Sequence, residues 1–224
     1  MSNDVSDELR HRVCQANRDL AANGLVVGTS GNVSGRDPDT GHIVIKPSGV
    51  AFAELTADQL VVVDDHANVV SGSLKPSVDT ASHCYVYRHR DDVGGIVHTH
   101  SPFATSFAVR GEDVPVLTTT HASLFGAPIP CSGYAVIGEE EVGAEIVRCL
   151  GDGSAVLLRS HGVFTIGVSA EKALRGAMYT EESAEVAHLA LLRGPVPELA
   201  REVVEASRSW YLADYGQRPV GGGS

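Results

Sequence analysis

Apolar and polar residues follow two patterns along the chain, one helical and one typical of strands. Between Leu9 and Leu20, apolar residues recur at helical spacing after Ser6, and Gly24 follows just beyond, so we predict a first helix in this segment. Later apolar runs are short and separated by turn residues, which is typical of strands joined in hairpins. The runs predicted as such strands are LVVGTSGNVSGR, HIVIKPSG and LVVVDDHANVV.

The second half of the chain mixes both patterns. The segments with helical periodicity are 139–150, 170–193 and the stretch from Ser77 to about Arg90. Ser101 followed by Pro102 indicates the start of another helix, PFATSFAV, because proline favours the first helical position. Apolar runs predict strands at GGIVHT, VPVLTTT and AVLLRSHGVFTIG. The predicted fold class is therefore α/β, a single layered domain with a central, largely antiparallel sheet flanked by helices.

Length and charge narrow the class of protein. With 224 residues and no internal linker, the chain is expected to form one domain over 1–217, followed by a flexible tail at 218–224. Seventeen basic residues against 28 acidic ones give a net charge of −11. This charge opposes binding to nucleic acid or to an anionic membrane, so any bound anion must be held locally.

Other features of the sequence predict the cellular location of the protein and the redox state of its cysteines. The sequence shows no apolar leader and no run long enough to span a membrane, so the cytoplasm is the expected location. The cysteines are scattered without a paired motif, and we expect them to be reduced. They are Cys14, Cys84, Cys131 and Cys149.

The stretch GGIVHTH places two histidines one residue apart at the end of an apolar run. In a strand, His98 and His100 would project to the same side, about 7 Å apart along the backbone. Another apolar run ends on His161, and Asp79 lies near a predicted helix start with His83 one turn further on. Imidazoles and a carboxylate without thiolates favour a catalytic zinc site over a structural one, and the same ligands would accept manganese or cobalt.

Two other classes of metal site share part of this pattern. An amidohydrolase barrel also has HxH at a strand end, but that motif opens a barrel normally longer than this chain. Hydrolases with HxHxDH are excluded because Ser101, Pro102 and Phe103 follow His100. A single HxH is also compatible with ordinary structural histidines. The histidines expected to be solvated are His11, His42, His66, His89 and His188, whereas His121 is left open.

Loops rich in glycine, serine and lysine are candidates for binding an anion. They are GTSGNVSGR at 28–36, KPSGV at 46–50 and KPS at 75–77. Glycine turns expose backbone N–H groups and nearby hydroxyls add donors, so such loops can hold a phosphate. The first loop has neither the dinucleotide nor the P-loop spacing, and by itself it is more often a hairpin turn. Three such loops in an acidic chain indicate a phosphorylated small molecule as the ligand.

As a set, the motifs resemble the class II aldolase/epimerase/adducin superfamily, which includes L-fuculose-1-phosphate aldolase and L-ribulose-5-phosphate 4-epimerase. The matching stretches, in family order from about residue 7 to 217, are GTSGNVSGR, IKPSGV, KPSVDTASH, IVHTHSPFAT, IPC, SHGVFTIG and YGQ. The resemblance implies an assembly as well as a site, because members form cyclic tetramers. A homotetramer with active sites at subunit interfaces is therefore expected.

The resemblance also assigns residues. It implies that His98, His100 and His161 bind zinc, with Asp79 as a fourth ligand or acid/base group. It implies that Lys46 lies near the substrate and that a further set of residues contacts the phosphate. The residues of this set are Gly31, Asn32, Ser48, Gly49 and Ser77.

Several positions depart from the family pattern. The family's phosphate-binding serine pair is Ser77-Val78 here, so one hydroxyl is missing. Ser123 stands where the epimerases have a proton-transferring aspartate, and Thr119 stands where the aldolase has a tyrosine. Tyr215 matches the C-terminal tyrosine that epimerases contribute from a neighbouring subunit.

These departures decide which reaction we expect. Epimerisation needs proton-transfer groups on both faces of the substrate, and Ser123 cannot act as a base near neutral pH. The leading expectation is a zinc-dependent class II aldolase that cleaves a phosphorylated ketose reversibly through a metal-stabilised enediolate. Asp79 would bind metal or transfer a proton, Tyr215 would donate a proton on the aldehyde side, and His121 is a candidate substitute.

Two alternatives stay open. A sugar-phosphate 4-epimerase is the first, because the aldolases usually have glutamate where this chain has Asp79. Dehydratase or decarboxylase chemistry on a phosphorylated sugar belongs with this alternative, because stabilisation of an enediolate serves those reactions also. A non-catalytic adducin-type interaction module is the second alternative, although such modules lose the metal-binding histidines that this chain retains.

Overall fold

Seven strands form the centre of the computed structural model, which describes residues 5–216. They are β1 Asn32–Arg36, β2 Ile43–Ile45, β3 Val61–Val63, β4 Val69–Ser71, β5 Gly95–Thr99, β6 Ala155–Leu158 and β7 Gly162–Gly167. The strands form one sheet in the order β4-β3-β2-β1-β5-β7-β6, and all neighbouring pairs are antiparallel. The predicted fold class is confirmed, and β1 and β5 lie side by side near the middle of the sheet.

Helices cover both faces of this sheet. They are α1 Asp7–Ala22, α2 Thr80–His89, α3 Pro102–Arg110, α4 Thr119–Phe125, α5 Glu140–Leu150, α6 Ala170–Leu191 and α7 Arg201–Asp214. Alternation along the strands divides the core between the two helical layers. On β2, Val44 belongs to the cluster with residues of α1 and α6, whereas Ile43 and Ile45 belong to the cluster with residues of α2 and α5. Full burial of each such side chain stabilises the fold by about 1.5–3 kcal/mol.

A further buried cluster joins α3, α6 and the β6–β7 hairpin. Ala104 and Phe107 of α3 pack with Val163 of β7 and with Ala184 and Ala187 of α6. The small alanines let the two helices approach closely. This packing holds α3 against α6 and the β6–β7 hairpin.

Several predicted elements are confirmed with their caps. Helix α1 begins after Ser6, whose Oγ accepts a hydrogen bond from the backbone N–H of Leu9 at 3.2 Å. Helix α3 has Pro102 at its first position. The predicted helices over 139–150 and 170–193 correspond to α5 and α6.

Other predictions were wrong. The segment VPVLTTT is not a strand: Val114 forms one bridge with Ile129, and Thr118 caps α4 by accepting from the N–H of His121. A threonine run favours strands by propensity, but a threonine at the N-cap satisfies helical N–H groups. The first predicted strand is confined to its C-terminal part, β1. Helix α2 begins at Thr80, later than predicted, and α7 was not predicted.

The structure also bears on the expectations about the cysteines, membrane-spanning helices and the C-terminal tail. All four cysteines are free, and Cys14 and Cys84 are buried. Within residues 5–216, no helix combines the length and the apolar character needed to cross a bilayer. The tail predicted at 218–224 lies outside the described residues.

Candidate active site

Three histidines converge at one end of the β5–β7 pair. His98 lies in β5, His100 follows that strand directly, and His161 lies in the turn between β6 and β7. One ring nitrogen from each lies within 4.8 Å of the other two. The Nε2 atoms of His98 and His100 are 3.0 Å apart. The structure thus brings together the three histidines that the resemblance assigned to a metal.

The turn that carries His161 depends on a glycine. A Cβ at Gly162 would lie 2.3 Å from the carbonyl oxygen of Thr99 and 2.7 Å from Cδ2 of His100, distances that no side chain tolerates. Ser160, two residues earlier, adopts a left-handed conformation with φ of 58°. The bare backbone at position 162 therefore lets the turn that carries His161 lie close to the end of β5.

The environment of His98 fixes its protonation state. The side chain is 1% exposed, and its Nδ1–H donates to the carbonyl oxygen of Val163 at 3.0 Å. Because a carbonyl only accepts, Nε2 carries the lone pair, and it faces His100. Burial lowers the pKa of His98 to about 3 and also lowers the pKa values of His100 and His161. All three rings are therefore neutral near pH 7, the state that a metal requires.

Asp79 lies next to this group and is held by two donors. Its Oδ2 accepts from Asn32 Nδ2 at 2.7 Å and from the Ser77 hydroxyl at 3.3 Å. Burial alone would raise its pKa, but the imidazoles of His98 and His83 and the Asn32 hydrogen bond together lower it. Asp79 is also the residue that precedes α2. Within residues 5–216, the cluster of ligand atoms within 4.8 Å of one another contains the histidines and not Asp79.

A cleft of about 280 Å³ contains the three histidines, Asp79 and the predicted anion loops. The loop residues that line it include all those assigned to phosphate or substrate: Gly31, Asn32, Lys46, Ser48, Gly49 and Ser77. Backbone hydrogen bonds join the two KPS loops, from Ser48 N–H to the carbonyl of Lys75 at 2.9 Å and from Ser77 N–H to that of Lys46 at 3.1 Å. The structure therefore assembles three distant sequence motifs around one space.

Lys46 is a buried cation at the wall of this cleft. The side chain is 1% exposed, and its Nζ donates to the carbonyl of Pro47 at 3.3 Å and lies 4.6 Å from the ring centre of Phe52. Burial lowers its pKa. Within residues 5–216, Nζ contacts this carbonyl and this ring, and no carboxylate forms an ion pair with it.

Two of the predicted acid/base residues lie elsewhere. Tyr215, just after α7, lines a separate cavity of about 400 Å³ together with Thr119, Ser123 and Arg175. His121 is 1% exposed, and its Nε2–H donates to the carbonyl of Ala127 at 2.9 Å. Within one chain, neither residue reaches the cleft that holds the histidines.

Some residues near the site were not assigned from the sequence. Ile137 lines the cleft although it belongs to a loop without a recognisable motif. His83, which was placed on the same helical face as Asp79, is fully buried behind the site, with Nδ1 2.7 Å from Ser34 Oγ. Burial lowers its pKa to about 4. The repeat of apolar and polar residues around His83 gave no sign of this internal position.

Comparison with known proteins defines the class. A family model described as the class II aldolase and adducin N-terminal domain matches residues 11–188, which is most of the chain. The protein therefore belongs to the class II aldolase and adducin family.

Solved structures resemble this chain over nearly its whole length. An L-fuculose 1-phosphate aldolase is 27% identical, with a TM-score of 0.89 over 95% of this chain and 100% of that one. The L-fuculose-1-phosphate aldolase from Thermus thermophilus is 30% identical, with a TM-score of 0.72 over 87% and 100%. YgbL from Klebsiella pneumoniae, a candidate aldolase/epimerase/decarboxylase, is 27% identical, with a TM-score of 0.82 over 92% and 100%.

Proposed function

We propose that this protein is a zinc-dependent class II aldolase that reversibly cleaves a phosphorylated ketose. The observation that carries the proposal is the sharing of one cleft by three neutral histidines and three anion loops. A Lewis acid beside an anion site is what retro-aldol cleavage of a sugar phosphate requires. The similarity to L-fuculose 1-phosphate aldolases supports the same reaction class.

The histidine cluster suits a divalent cation. In a tetrahedral zinc site with bonds of about 2.0–2.1 Å, ligand nitrogens lie about 3.3 Å apart. The Nε2 atoms of His98 and His100 are 3.0 Å apart, close to that value. His98, His100 and His161 would hold the ion, and manganese or cobalt would fit the same donors. When bound, the cation would polarise the substrate carbonyl and stabilise the negative charge that develops during cleavage.

The loops are proposed to hold the phosphate. Gly31 and Gly49 both have positive φ, 83° and 72°, a conformation found where successive N–H groups form an anion cradle. The hydroxyls of Ser48 and Ser77 would add donors, and Lys46 would add a positive charge. Local binding of this kind is required because the net charge of the chain is −11. A fixed phosphate would orient the rest of the ketose toward the histidines.

Asp79 and Tyr215 are proposed to move the protons. In cleavage, the hydroxyl that becomes the aldehyde loses its proton, and the electrons of the broken C–C bond move toward the ketone carbonyl. The carbon left behind then gains a proton. Tyr215 would serve the aldehyde oxygen, donating in the synthetic direction. Asp79, ionised because its pKa is lowered, would bind the metal or exchange the proton on the carbon side.

Tyr215 needs a second subunit to play this part. It lines a cavity apart from the histidine cleft of its own chain. We therefore include in the proposal a homotetramer in which residues 1–217 form the catalytic domain and each site receives Tyr215 from a neighbour. Mixing His98→Ala chains with Tyr215→Phe chains tests this arrangement. Activity should return in mixed assemblies, and its failure to return in confirmed mixed tetramers would contradict a shared site.

A 4-epimerase is the second candidate. Thr119, Ser123 and Tyr215 line one cavity, so the positions that distinguish aldolases from epimerases lie together. Ser123 supplies no base near neutral pH, which argues for one-faced chemistry. His121 could replace the missing aspartate only if it left its buried hydrogen bond with Ala127.

The deciding experiment uses zinc-reconstituted protein with L-fuculose 1-phosphate and, separately, L-ribulose 5-phosphate. Release of dihydroxyacetone phosphate that disappears in His98→Ala is the expected result. Formation of D-xylulose 5-phosphate without fragment release would replace the aldolase by the epimerase. A folded protein that binds no zinc and has no metal-dependent activity would favour the adducin-type module.

A further inference from the structure

The helix that follows His100 is capped by a side chain from a different helix. Ser101 is the N-cap residue of α3, but its side chain makes no capping hydrogen bond, and its Oγ lies 3.3 Å from Thr99 Oγ1. Glu181 of α6 takes over this role. Its two carboxylate oxygens accept from the backbone N–H groups of Phe103 at 2.9 Å and Ala104 at 2.8 Å.

This cap is stronger than a usual local one. The first N–H groups of a helix have no partner within the helix, and the positive end of the helix dipole favours a negative charge there. A carboxylate that uses both oxygens satisfies two of these groups and adds a charge-assisted component. The start of α3 is thereby tied to α6.

The first turn of α6 is held against β5. A Cβ at Gly95 would lie 2.2 Å from the backbone nitrogen of Ala170, so the first turn of α6 rests directly on the start of the strand. From Ala170 to Glu181 the helix rises about 16 Å. From Gly95 to His100 the strand rises about the same distance. Helix α6 therefore runs beside β5 and holds both ends of the segment that carries His98 and His100.

His100 depends on this support more than His98 does. The ring of His98 is oriented by its hydrogen bond to Val163. Within residues 5–216, the polar atom within hydrogen-bonding distance of the His100 ring is Nε2 of His98, so no second hydrogen bond orients the His100 ring. The direction of the His100 side chain is then set by its backbone, between the last residue of β5 and the capped start of α3.

We infer that Glu181 is a positioning residue for the metal centre, holding the start of α3 so that His100 presents its imidazole beside His98 and His161. The inference rests on the proposed metal centre. Removal of the bidentate cap would let the turn at residues 100–102 relax, and the three nitrogens would no longer converge. The consequence is weaker metal binding by a protein that is otherwise folded.

The test compares Glu181→Gln with Glu185→Gln, an exposed glutamate one turn further along α6. Glutamine keeps the shape of the side chain but turns an N–H donor toward a backbone N–H. Zinc affinity is measured by competition with a chromophoric chelator, and the thermal midpoint of the zinc-free protein is measured in parallel. We expect about tenfold weaker zinc binding in Glu181→Gln, in the range seen when groups behind metal ligands are altered. Glu185→Gln should match the wild type.

The outcomes separate the possible roles. A lower thermal midpoint with unchanged zinc affinity would show that Glu181 is only structural, and would overturn the inference. If Glu181→Gln does not fold, Glu181→Asp, whose shorter arm cannot reach both N–H groups, is measured in the same way with the same expectation. The visible spectrum of the cobalt-loaded variants reports the ligand geometry, and an unaltered spectrum together with wild-type affinity would again overturn the inference. A wild-type chain that binds no zinc would overturn the proposed metal centre along with it.

Discussion

Asn32 and His98 are direct partners across the antiparallel strands β1 and β5. This register places Asn32, within the first anion loop, beside His98, the most deeply buried of the three clustered histidines. Asn32 Nδ2 also donates to Asp79 Oδ2 at 2.7 Å, so one amide connects the loop to the carboxylate. The anion loop and the histidine cluster are therefore held in fixed relation by the central strands of one sheet.

Replacement of Asn32 by aspartate should disable Asp79. The new carboxylate cannot donate a hydrogen bond, and two carboxylates at this distance raise each other's pKa. We expect kcat/KM of Asn32→Asp to fall by about 10²- to 10⁴-fold. The acidic limb of its pH profile should move to higher pH, because Asp79 would ionise later. Steady-state kinetics across a pH series measure both effects, and an unmoved limb would show that Asp79 does not control the rate.

Replacement of Lys46 should weaken phosphate binding without altering the chemical step. A hydrogen bond to a charged group contributes about 1.5–3 kcal/mol, so Lys46→Met should raise KM by about 10- to 100-fold. The value of kcat should change little, because phosphate is bound equally in the ground and transition states. Lys172→Met, at the exposed start of α6, is the control. A large loss of kcat with unchanged KM would contradict the assignment of Lys46 to the phosphate.

The wild-type protein should also show the effect of Lys46 as pH rises. Burial lowers the pKa of this lysine, so its positive charge is lost at a lower pH than that of an ordinary lysine. KM for a phosphorylated substrate should therefore rise on the alkaline side, and the Lys46→Met variant should lack this rise. Parallel alkaline profiles for the two proteins would count against a role of Lys46 in binding.

A methyl group at position 162 should disturb the histidine cluster. In Gly162→Ala the Cβ would meet the carbonyl of Thr99 at 2.3 Å, and relief of such overpacking costs about 1–3 kcal/mol. We expect lower stability and weaker zinc binding. Gly176→Ala is a matched control, since its Cβ would meet Thr165 at ordinary distances of 3.5 Å or more and alanine favours a helix. Denaturant unfolding and zinc titration of both variants provide the comparison.

His83 should make the zinc-free protein sensitive to acid. The unfolded chain protonates this residue near its ordinary pKa of 6.5, but burial lowers the folded pKa to about 4. Its contribution to stability is complete above pH 6.5 and is lost as pH falls toward 4, with a slope of up to about 1.4 kcal/mol per pH unit. His98 adds to this slope for the same reason.

Removal of the titrating ring should flatten that dependence. We expect His83→Asn to be less stable than the wild type at neutral pH, because burial of the ring is lost, but to lose less stability between pH 6.5 and 4. Urea unfolding of the zinc-free proteins at several pH values measures the slope. Equal slopes would mean that His83 has the same pKa in the folded protein as in the unfolded chain, and would contradict the lowered pKa.

The pair of histidines on β5 was the part of the candidate site most accessible to prediction from the sequence. A strand alternates its side chains, so HTH at the end of an apolar run had to place two histidines on one side. The convergence of His161 and of the three loops came from the resemblance, because pairing of β1 with β5 joins residues that are sixty or more positions apart. No local pattern states which distant strands will pair.

The rest depended on tertiary contacts that local patterns do not contain. Thr118 is a strand residue by propensity and acts as a helix cap. The sequence left the place of His121 open, and its hydrogen bond to Ala127 holds it in the interior. Glu181 resembles any solvated glutamate on a long helix until α3 is placed beside it. In each case the partner, rather than the residue type, decides the role.

A crystal structure of the protein with zinc and dihydroxyacetone phosphate, with data collected on both sides of the zinc absorption edge, would locate the metal and the phosphate together. We expect an anomalous peak about 2.0–2.1 Å from nitrogens of His98, His100 and His161, with the phosphate held between the loops at 28–36 and 46–50. Zinc bound elsewhere, or a phosphate outside this cleft, would contradict the proposed site.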